Sequence, residues 1–359
     1  MRAEPDGPWP LDLARALPAE QVRRVTVGPL SLGSLHHLIH DRLGVAFPRP
    51  VLSRLVTASG GNPYFALEIA RTLAHGPAAI RLHEPPALPS SLRELVASQI
   101  ESLSAAAREA TLAVAASPDP RVTTLRDVMS SPVEVEAALA EAEVAGVLTC
   151  DGDRVRFTHP LLASAAYETA PADRRRALHR LLASVATDVE TAGVHLSLSV
   201  LGVDAEAAGV IERAARHAAT RGAHDAAAEL FAAARRATAG DDAAGLARRF
   251  LGGARALSAI GDFDEARSLA EQAVASAPAA PQRADALVLL ATLDWLDGAA
   301  ETATDRVEHA LQAVGRDVDR QAPIYAKFVR FNFAHDVERA IRYAVAALAL
   351  AGIASARPI

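Results

Sequence analysis

Residues 222–352 carry a repeat whose period leaves few architectures open. Gly222, Gly261, Gly298 and His335 stand 39, 37 and 37 residues apart. Five residues after each mark is alanine (Ala227, Ala266, Ala303, Ala340), and twelve after each is alanine again (Ala234, Ala273, Ala310, Ala347). Alanines seven apart share one helix face, where small side chains let two helices approach closely. Seventeen residues after the marks come Ala239, Pro278, Gly315 and Gly352, residues suited to closing a helix. A period of roughly 34–40 residues with paired helices is that of tetratricopeptide-type hairpins, which stack into a superhelix. Gly261-Asp262-Phe263-Asp264-Glu265-Ala266 with Pro278 is the fullest copy, and the first copy takes its partner helix from Glu206–Thr220.

Composition agrees. Half of the 359 residues are hydrophobic but only 4% are aromatic, and alanine dominates the apolar set. Alanine is the best helix former, so two or three mainly α domains are expected. The single lysine is Lys327, in Ala326-Lys327-Phe328, with no glycine-rich loop beside it. A phosphate-binding loop of the G-x-x-x-x-G-K-[ST] type is therefore excluded. Cys150 is the only cysteine, which excludes a disulfide framework and a cysteine zinc site. The net charge of −6 and the lack of a basic tail call for no nucleic-acid partner. The N-terminus has no apolar signal segment, and the longest apolar run, Ala344–Ala351, is too short to span a bilayer. A cytoplasmic protein with no membrane contact is expected.

Residues 1–30 read as a turn-rich remnant or linker, with prolines at 5, 8, 10, 18 and 29. A helical unit follows over 31–75. Ser31 caps its first helix. Pro48 and Pro50 precede a second helix over Val51–Ala58. Gly60-Gly61 supplies the positive φ that ends it, and Asn62 then caps a third helix with Pro63 at its first position, running to about Ala74. His75–Pro89 is a linker. A second unit covers 90–170. Ser91-Leu92-Arg93-Glu94 is a capping box opening Leu92–Leu103, and Ser104 starts a helix to about Ala116. A short helix near Leu125–Met129 and one over Pro132–Ala145 follow, stopped by Gly146. Val147–Cys150 and Arg154–Thr158, joined by Asp151-Gly152-Asp153, read as a β-hairpin. Helices followed by a small hairpin make a winged-helix pattern. Pro160–Tyr167 and Asp173–Ala186 are helical, and residues 171–359 form the tetratricopeptide-like region. The last copy ends near Gly352 without a polar capping helix, so both ends of the chain read as cuts through a longer protein.

Three places could carry chemistry. Gly60-Gly61-Asn62-Pro63 is either a helix–turn–helix junction of ordinary cap residues or a bare backbone that approaches a nucleotide; its spacing favours the junction. His159, in Phe157-Thr158-His159-Pro160, is an N-cap or a sensor of phosphate or pH. His36 and His40 share a helix face near His37, but no third ligand or HExxH glutamate accompanies them, so no metal site is assigned. Arg174-Arg175-Arg176 and Arg235-Arg236 read as solvated helix faces. No G-x-S-x-G or acid–base pair occurs, so no catalytic residue is assigned.

Four segments together resemble the central part of large LuxR-type transcriptional regulators that carry an AAA-like (STAND, MalT-like) ATPase module. They are Pro29-Leu30-Ser31-Leu32-Gly33-Ser34-Leu35-His36-His37-Leu38-Ile39, Ala58-Ser59-Gly60-Gly61-Asn62-Pro63-Tyr64-Phe65-Ala66-Leu67-Glu68, Leu88-Pro89-Ser90-Ser91-Leu92-Arg93-Glu94-Leu95-Val96 and Phe157-Thr158-His159-Pro160-Leu161-Leu162-Ala163-Ser164-Ala165-Ala166-Tyr167. The resemblance implies an ATPase-lid subdomain at 31–75, a winged-helix domain at 90–170, and sensor repeats that bind a protein or small-molecule inducer. It implies that Asn62, Pro63 and His159 lie near a nucleotide, Pro63 by the adenine and His159 by the phosphates. ATP or ADP is then the cofactor only where an ATPase core is present, and DNA is bound only through a C-terminal helix-turn-helix; neither motif has a counterpart in this sequence. The chain is thus expected to be a non-enzymatic, truncated regulator with self-association through an exposed apolar end. The alternative is a stand-alone helical-repeat scaffold for a protein or peptide. A winged-helix DNA binder is a weaker third, since the acidic hairpin (Asp151, Asp153) disfavours phosphate contact.

Overall fold

A computed structural model describes residues 28–75, 97–129, 132–333 and 336–355. The fold is mainly α, with one β-hairpin among the described residues. Helix α1 (Leu32–Leu43) begins at Ser31, whose Oγ accepts from Ser34 N–H, and ends at Gly44 with φ of 68°. Helix α2 (Arg49–Ser59) starts two residues earlier than the sequence suggests, because Pro48 serves as cap and Pro50 fits the first turn, where its missing N–H is no loss. Gly60 closes it at φ of 58°, and α3 (Pro63–His75) follows. The three helices bury Leu35, Ile39, Leu52, Leu55, Ala66 and Ile69.

Residues 97–101 are helical, but the capping box and the 88–96 motif lie outside the described residues. Helix α4 (Ala105–Ala116) is capped by Ser104, which is itself gripped from outside: its N–H and Oγ both donate to the Glu141 carboxylate at 2.6 Å. Helices α5 (Val122–Val128) and α6 (Pro132–Val144) lead to strands β1 (Leu148–Asp151) and β2 (Arg154–Phe157), antiparallel in the register Cys150↔Val155. Gly152, at φ of 60°, makes the tight turn. Arg121, just before α5, forms an antiparallel bridge to Arg154, so the backbone ahead of α5 lies along the hairpin like a third, one-residue strand. The order of elements in this unit is helix, bridge, helix, helix, hairpin.

Helices α7 (Pro160–Thr169) and α8 (Ala172–Val185) match expectation, but α9 (Val189–Ser199) was not anticipated. Four helical hairpins then stack: α10 (Ala205–Thr220) with α11 (His224–Arg236), α12 (Ala243–Ile260) with α13 (Phe263–Ser276), α14 (Ala280–Leu296) with α15 (Ala300–Val314), and α16 (Val318–Asn332) with α17 (Val337–Ser355). Gly222, Gly261 and Gly298 turn the first three at φ of 85°, 87° and 81°; His335 lies outside the described residues. Ala227, Ala266 and Ala303 are fully buried, as are Ala234 and Ala310, with Ala273 at 1% exposure, so the small-residue stripe is the close-packed seam. The fourth copy departs from the rule. Ala347 is half-buried, and Gly352 lies within α17 rather than ending it. There Phe328 and Tyr343 stack at 4.1 Å between centroids, filling space that alanine pairs close elsewhere.

One buried cluster runs from Ile39 to Leu182, so helices of the first two units and α8 share a core. The hairpins have their own smaller clusters. Buried charge ties neighbouring repeats together. Glu212 on α10 accepts from Arg249 Nε on α12 at 2.9 Å, and Asp294 on α14 meets Arg267 on α13 and Arg306 on α15. The two basic runs are structural too. Arg174 pairs with Glu109 at 2.8 Å, Arg175 lies 4.9 Å over the Tyr167 ring, and Arg235 lies 5.1 Å over Phe250. Arg174 and Arg236 are exposed, as a solvated face would have them, while Arg175 and Arg235 lie against rings.

Candidate functional site

The Gly60–Pro63 turn and the Phe157–Pro160 junction, about a hundred residues apart in sequence, meet in the fold. Gly60 and Gly61 both take positive φ, which reverses the chain after α2. The turn is then pinned twice. Gly61 C=O accepts from Leu30 N–H at 2.9 Å, and a Cβ at Gly61 would fall 2.5 Å from Pro29 Cβ, so the Pro29-Leu30 segment lies flat on bare backbone. On the other side a Cβ at Gly60 would touch Pro160 Cγ at 3.4 Å. Phe65, one turn into α3, packs edge-to-face on the His159 ring at 5.4 Å and 87°.

Asn62 and His159 are both caps. Asn62 Oδ1 accepts from Tyr64 N–H at 3.0 Å and Phe65 N–H at 3.4 Å, and Asn62 C=O accepts from Ala66 N–H at 2.9 Å. Pro63 has no N–H. The amides that would cradle a phosphate at this helix start are therefore already engaged. What the turn offers instead is a flat face of exposed Pro63 and Tyr64, the latter 55% exposed. Such a face suits stacking of a planar ring better than binding an anion. His159 Nδ1 accepts from Leu161 N–H at 3.2 Å, so in this tautomer Nε2 carries the proton. His36 is half-buried, while His37 and His40 are exposed on α1; no group of three metal-ligating side chains gathers among the described residues.

The other end of α7 holds a cluster that motif reading missed. Tyr167 Oη and His179 Nε2 are 2.9 Å apart, and His179 Nδ1 and His195 Nδ1 are 3.0 Å apart. Both histidines are buried, at 1% and 3% exposure. Burial, then His195, then Arg175, push the His179 pKa from 6.5 down to about 3. The cluster joins α7, α8 and α9. Helix α9 in turn meets α10 closely: a methyl on Gly193 would overlap the Ala214 methyl, and Glu190 accepts from His217 and Arg221. Arg221 holds the Glu190 carboxyl down to about 2. The only sequence signal for this cluster is the pair of histidines itself, 16 residues apart on two helices.

A chain of direct contacts therefore runs from the repeats to the Gly60–Pro63 turn. It passes from Ala214 to Gly193 and His195, to His179, to Tyr167, along α7 to His159, and across to Phe65. Lys327 lies in the middle of α16, where burial and then Arg330 lower its pKa, remote in character from a phosphate-binding loop. Among the described residues no helix is long and apolar enough to cross a membrane.

No family model and no curated protein matches the chain. Among solved structures it is similar to a Signal Transduction ATPase with Numerous Domains (STAND) protein with a tetratricopeptide repeat sensor from Pyrococcus horikoshii, at 12% identity and a TM-score of 0.40. The match covers 93% of this chain and 49% of that one, so the chain spans about half the length of the structure it matches.

Proposed function

We propose that this chain is the signal-sensing and regulatory portion of a LuxR-type, STAND-like regulator: a lid (31–75), a winged helix (90–170) and sensor repeats (171–359). In this reading a protein or small-molecule inducer binds the repeats, and its occupancy biases how the lid turn sits on the α7 N-terminus. The observation that supports it is the meeting of Gly60–Phe65 with His159-Pro160, two of the segments that carry the family resemblance. The contact chain through α8 and α9 supplies a physical route by which a change in the repeats reaches that turn. The Pro63–Tyr64 face is the place for an adenine ring, supplied with its phosphates by an ATPase core. His159, whose Nδ1 caps α7, is the residue this reading sets toward the phosphates.

The chain itself has no ATPase activity in this reading, because no lysine stands in a phosphate-binding loop. ATP turnover measured on the 359-residue chain and on Pro63→Ala tests this: both should release phosphate at the buffer rate. Turnover that Pro63→Ala abolishes would overturn it.

A second reading, a scaffold for a protein partner, is favoured by one observation. Helix α17 leaves Val337, Ile341, Val345 and Leu348 exposed along one face, at 57% to 72%. A stripe with that spacing fits an apolar helix from a partner or a second copy. Sedimentation with Ile341→Glu/Val345→Glu separates the cases: a self-associating scaffold becomes smaller, and a regulator sensing through its concave face does not change.

A further inference from the structure

The repeats hold a cavity of about 630 Å³, within the size range of small-molecule sites. Its walls come from α10, α11, α12, α14 and α16, so four successive hairpins contribute to it. Four arginines line it: Arg216, Arg248, Arg255 and Arg320.

The charge does not cancel locally. Glu212, behind the wall, is shared by Arg216 at 2.5 Å, Arg248 at 3.5 Å and the buried Arg249 at 2.9 Å. One carboxylate thus faces three guanidinium groups. The enclosed Arg249 also meets Asp242 at 3.7 Å, so three guanidinium groups share two carboxylates, and Arg216 and Arg248 reach the cavity with 58% and 42% of their side chains exposed. Arg255 is exposed and has no hydrogen-bond or ion-pair partner among the described residues. Arg320 is balanced by Asp285 at 3.8 Å and Asp317 at 3.4 Å. This excess of positive charge sits in a chain whose net charge is −6.

Two further features point to a ligand. Gln282 lines the cavity, and its side-chain oxygen is buried and accepts no hydrogen bond among the described residues. A buried acceptor without a donor costs free energy, and a ligand hydroxyl or N–H removes that cost. The floor is apolar, formed by Phe231 and Leu251. Phe231 reaches it only because residue 252 is glycine, as a methyl there would overlap the ring.

We infer that this cavity binds a small anionic molecule: a phosphate or carboxylate held by the guanidinium forks of Arg216, Arg248 and Arg255, on a body that carries a hydroxyl or N–H donor for Gln282. Arginine forks match either oxyanion in a two-point geometry. The inference deepens the sensing role proposed above and rests on it for its biological meaning, while its chemistry stands on the cavity.

Calorimetric titration of the 359-residue chain with inorganic pyrophosphate and, separately, with citrate tests it. One-to-one saturable binding at millimolar or lower concentration is expected for at least one. The tighter of the two identifies the headgroup as phosphate or carboxylate. Arg255→Ala, which breaks no hydrogen bond or ion pair among the described residues, should weaken binding roughly tenfold, with an unchanged melting temperature; Arg255→Lys should lie between. Saturation by neither anion up to tens of millimolar, affinity unchanged in Arg255→Ala, or tenfold tighter binding of a hexaglutamate peptide than of both anions would each overturn it. The sensing reading is tested apart from any ligand, by the response of the lid turn to Gly193→Ala described below. A failed titration with an intact response therefore removes the anion site alone.

Discussion

Mild acid should loosen the seam between α7 and the repeats, with His179 as the cause. Its ring is enclosed by Tyr167 from α7, Arg175 from its own helix and His195 from α9. Burial, His195 and Arg175 hold its pKa at about 3 in the fold, against 6.5 for an ordinary histidine. Between those values the unfolded chain takes a proton that the folded chain refuses. The stability contributed by the neutral ring is therefore full above pH ~6.5 and is lost as the pH falls toward ~3. Each pH unit inside the window is about 1.4 kcal/mol, so going from pH 7.5 to 5.0 should remove about 2 kcal/mol through this ring alone. His179→Gln keeps a donor and an acceptor but does not titrate. It will be less stable at pH 7.5, since an amide fits neither Tyr167 nor His195 as the ring does. Acidification should nevertheless cost it about 2 kcal/mol less than it costs the native chain. Urea midpoints and slopes for both proteins at pH 7.5 and 5.0 give the comparison. Carboxylates such as Glu190, which Arg221 holds down to about 2, titrate alike in both and cancel. Equal acid sensitivity of the two proteins would refute the reasoning.

Other perturbations follow from the same packing. Gly61→Ala should cost about 2 kcal/mol or more, through positive φ and the clash with Pro29; Gly44→Ala, at similar φ but in open space, should cost about 1 kcal/mol, and thermal melts of the pair separate strain from contact. Glu212→Ala should cost about 2 kcal/mol or more, because the buried Arg249 then keeps only Asp242, at 3.7 Å, as a carboxylate partner; chemical denaturation reads it, and a loss under ~1 kcal/mol would show the pair to be solvated. Ala303→Leu should destabilise by about 1–3 kcal/mol by forcing α14 and α15 apart, whereas the same change at half-buried Ala347 should cost clearly less.

Much of this fold was legible in the sequence because its decisions are local. Ser31, Asn62-Pro63 and Ser104 start helices, and Gly60, Gly146 and Gly222 end or turn them, by cap chemistry that needs no tertiary partner. The buried alanines at fixed spacing announced the hairpins. Helix α9 escaped because its buried residues are Gly193, His195 and Ser199, none of them a large apolar side chain. Its tail, Val194–Val200, also alternates apolar and polar residues as a strand would. The end of the last repeat was misread because Gly352 sits inside a helix, where glycine costs only about 1 kcal/mol. At the candidate site, the caps were readable one by one. Their meeting was not, since Phe65 and His159 are joined only by tertiary packing. The cavity arginines stand on three helices that no local pattern relates.

The central claim is that the repeats and the Gly60–Pro63 turn communicate through α9, α8 and α7. Hydrogen exchange of Gly193→Ala against the native chain tests it most directly. The added methyl overlaps Ala214 and must part α9 from α10, far from the turn. The account predicts faster exchange at α9 and α10 and also a change at residues 58–66 and 159–166. Altered exchange confined to α9 and α10, with residues 58–66 and the start of α7 unchanged, would contradict it.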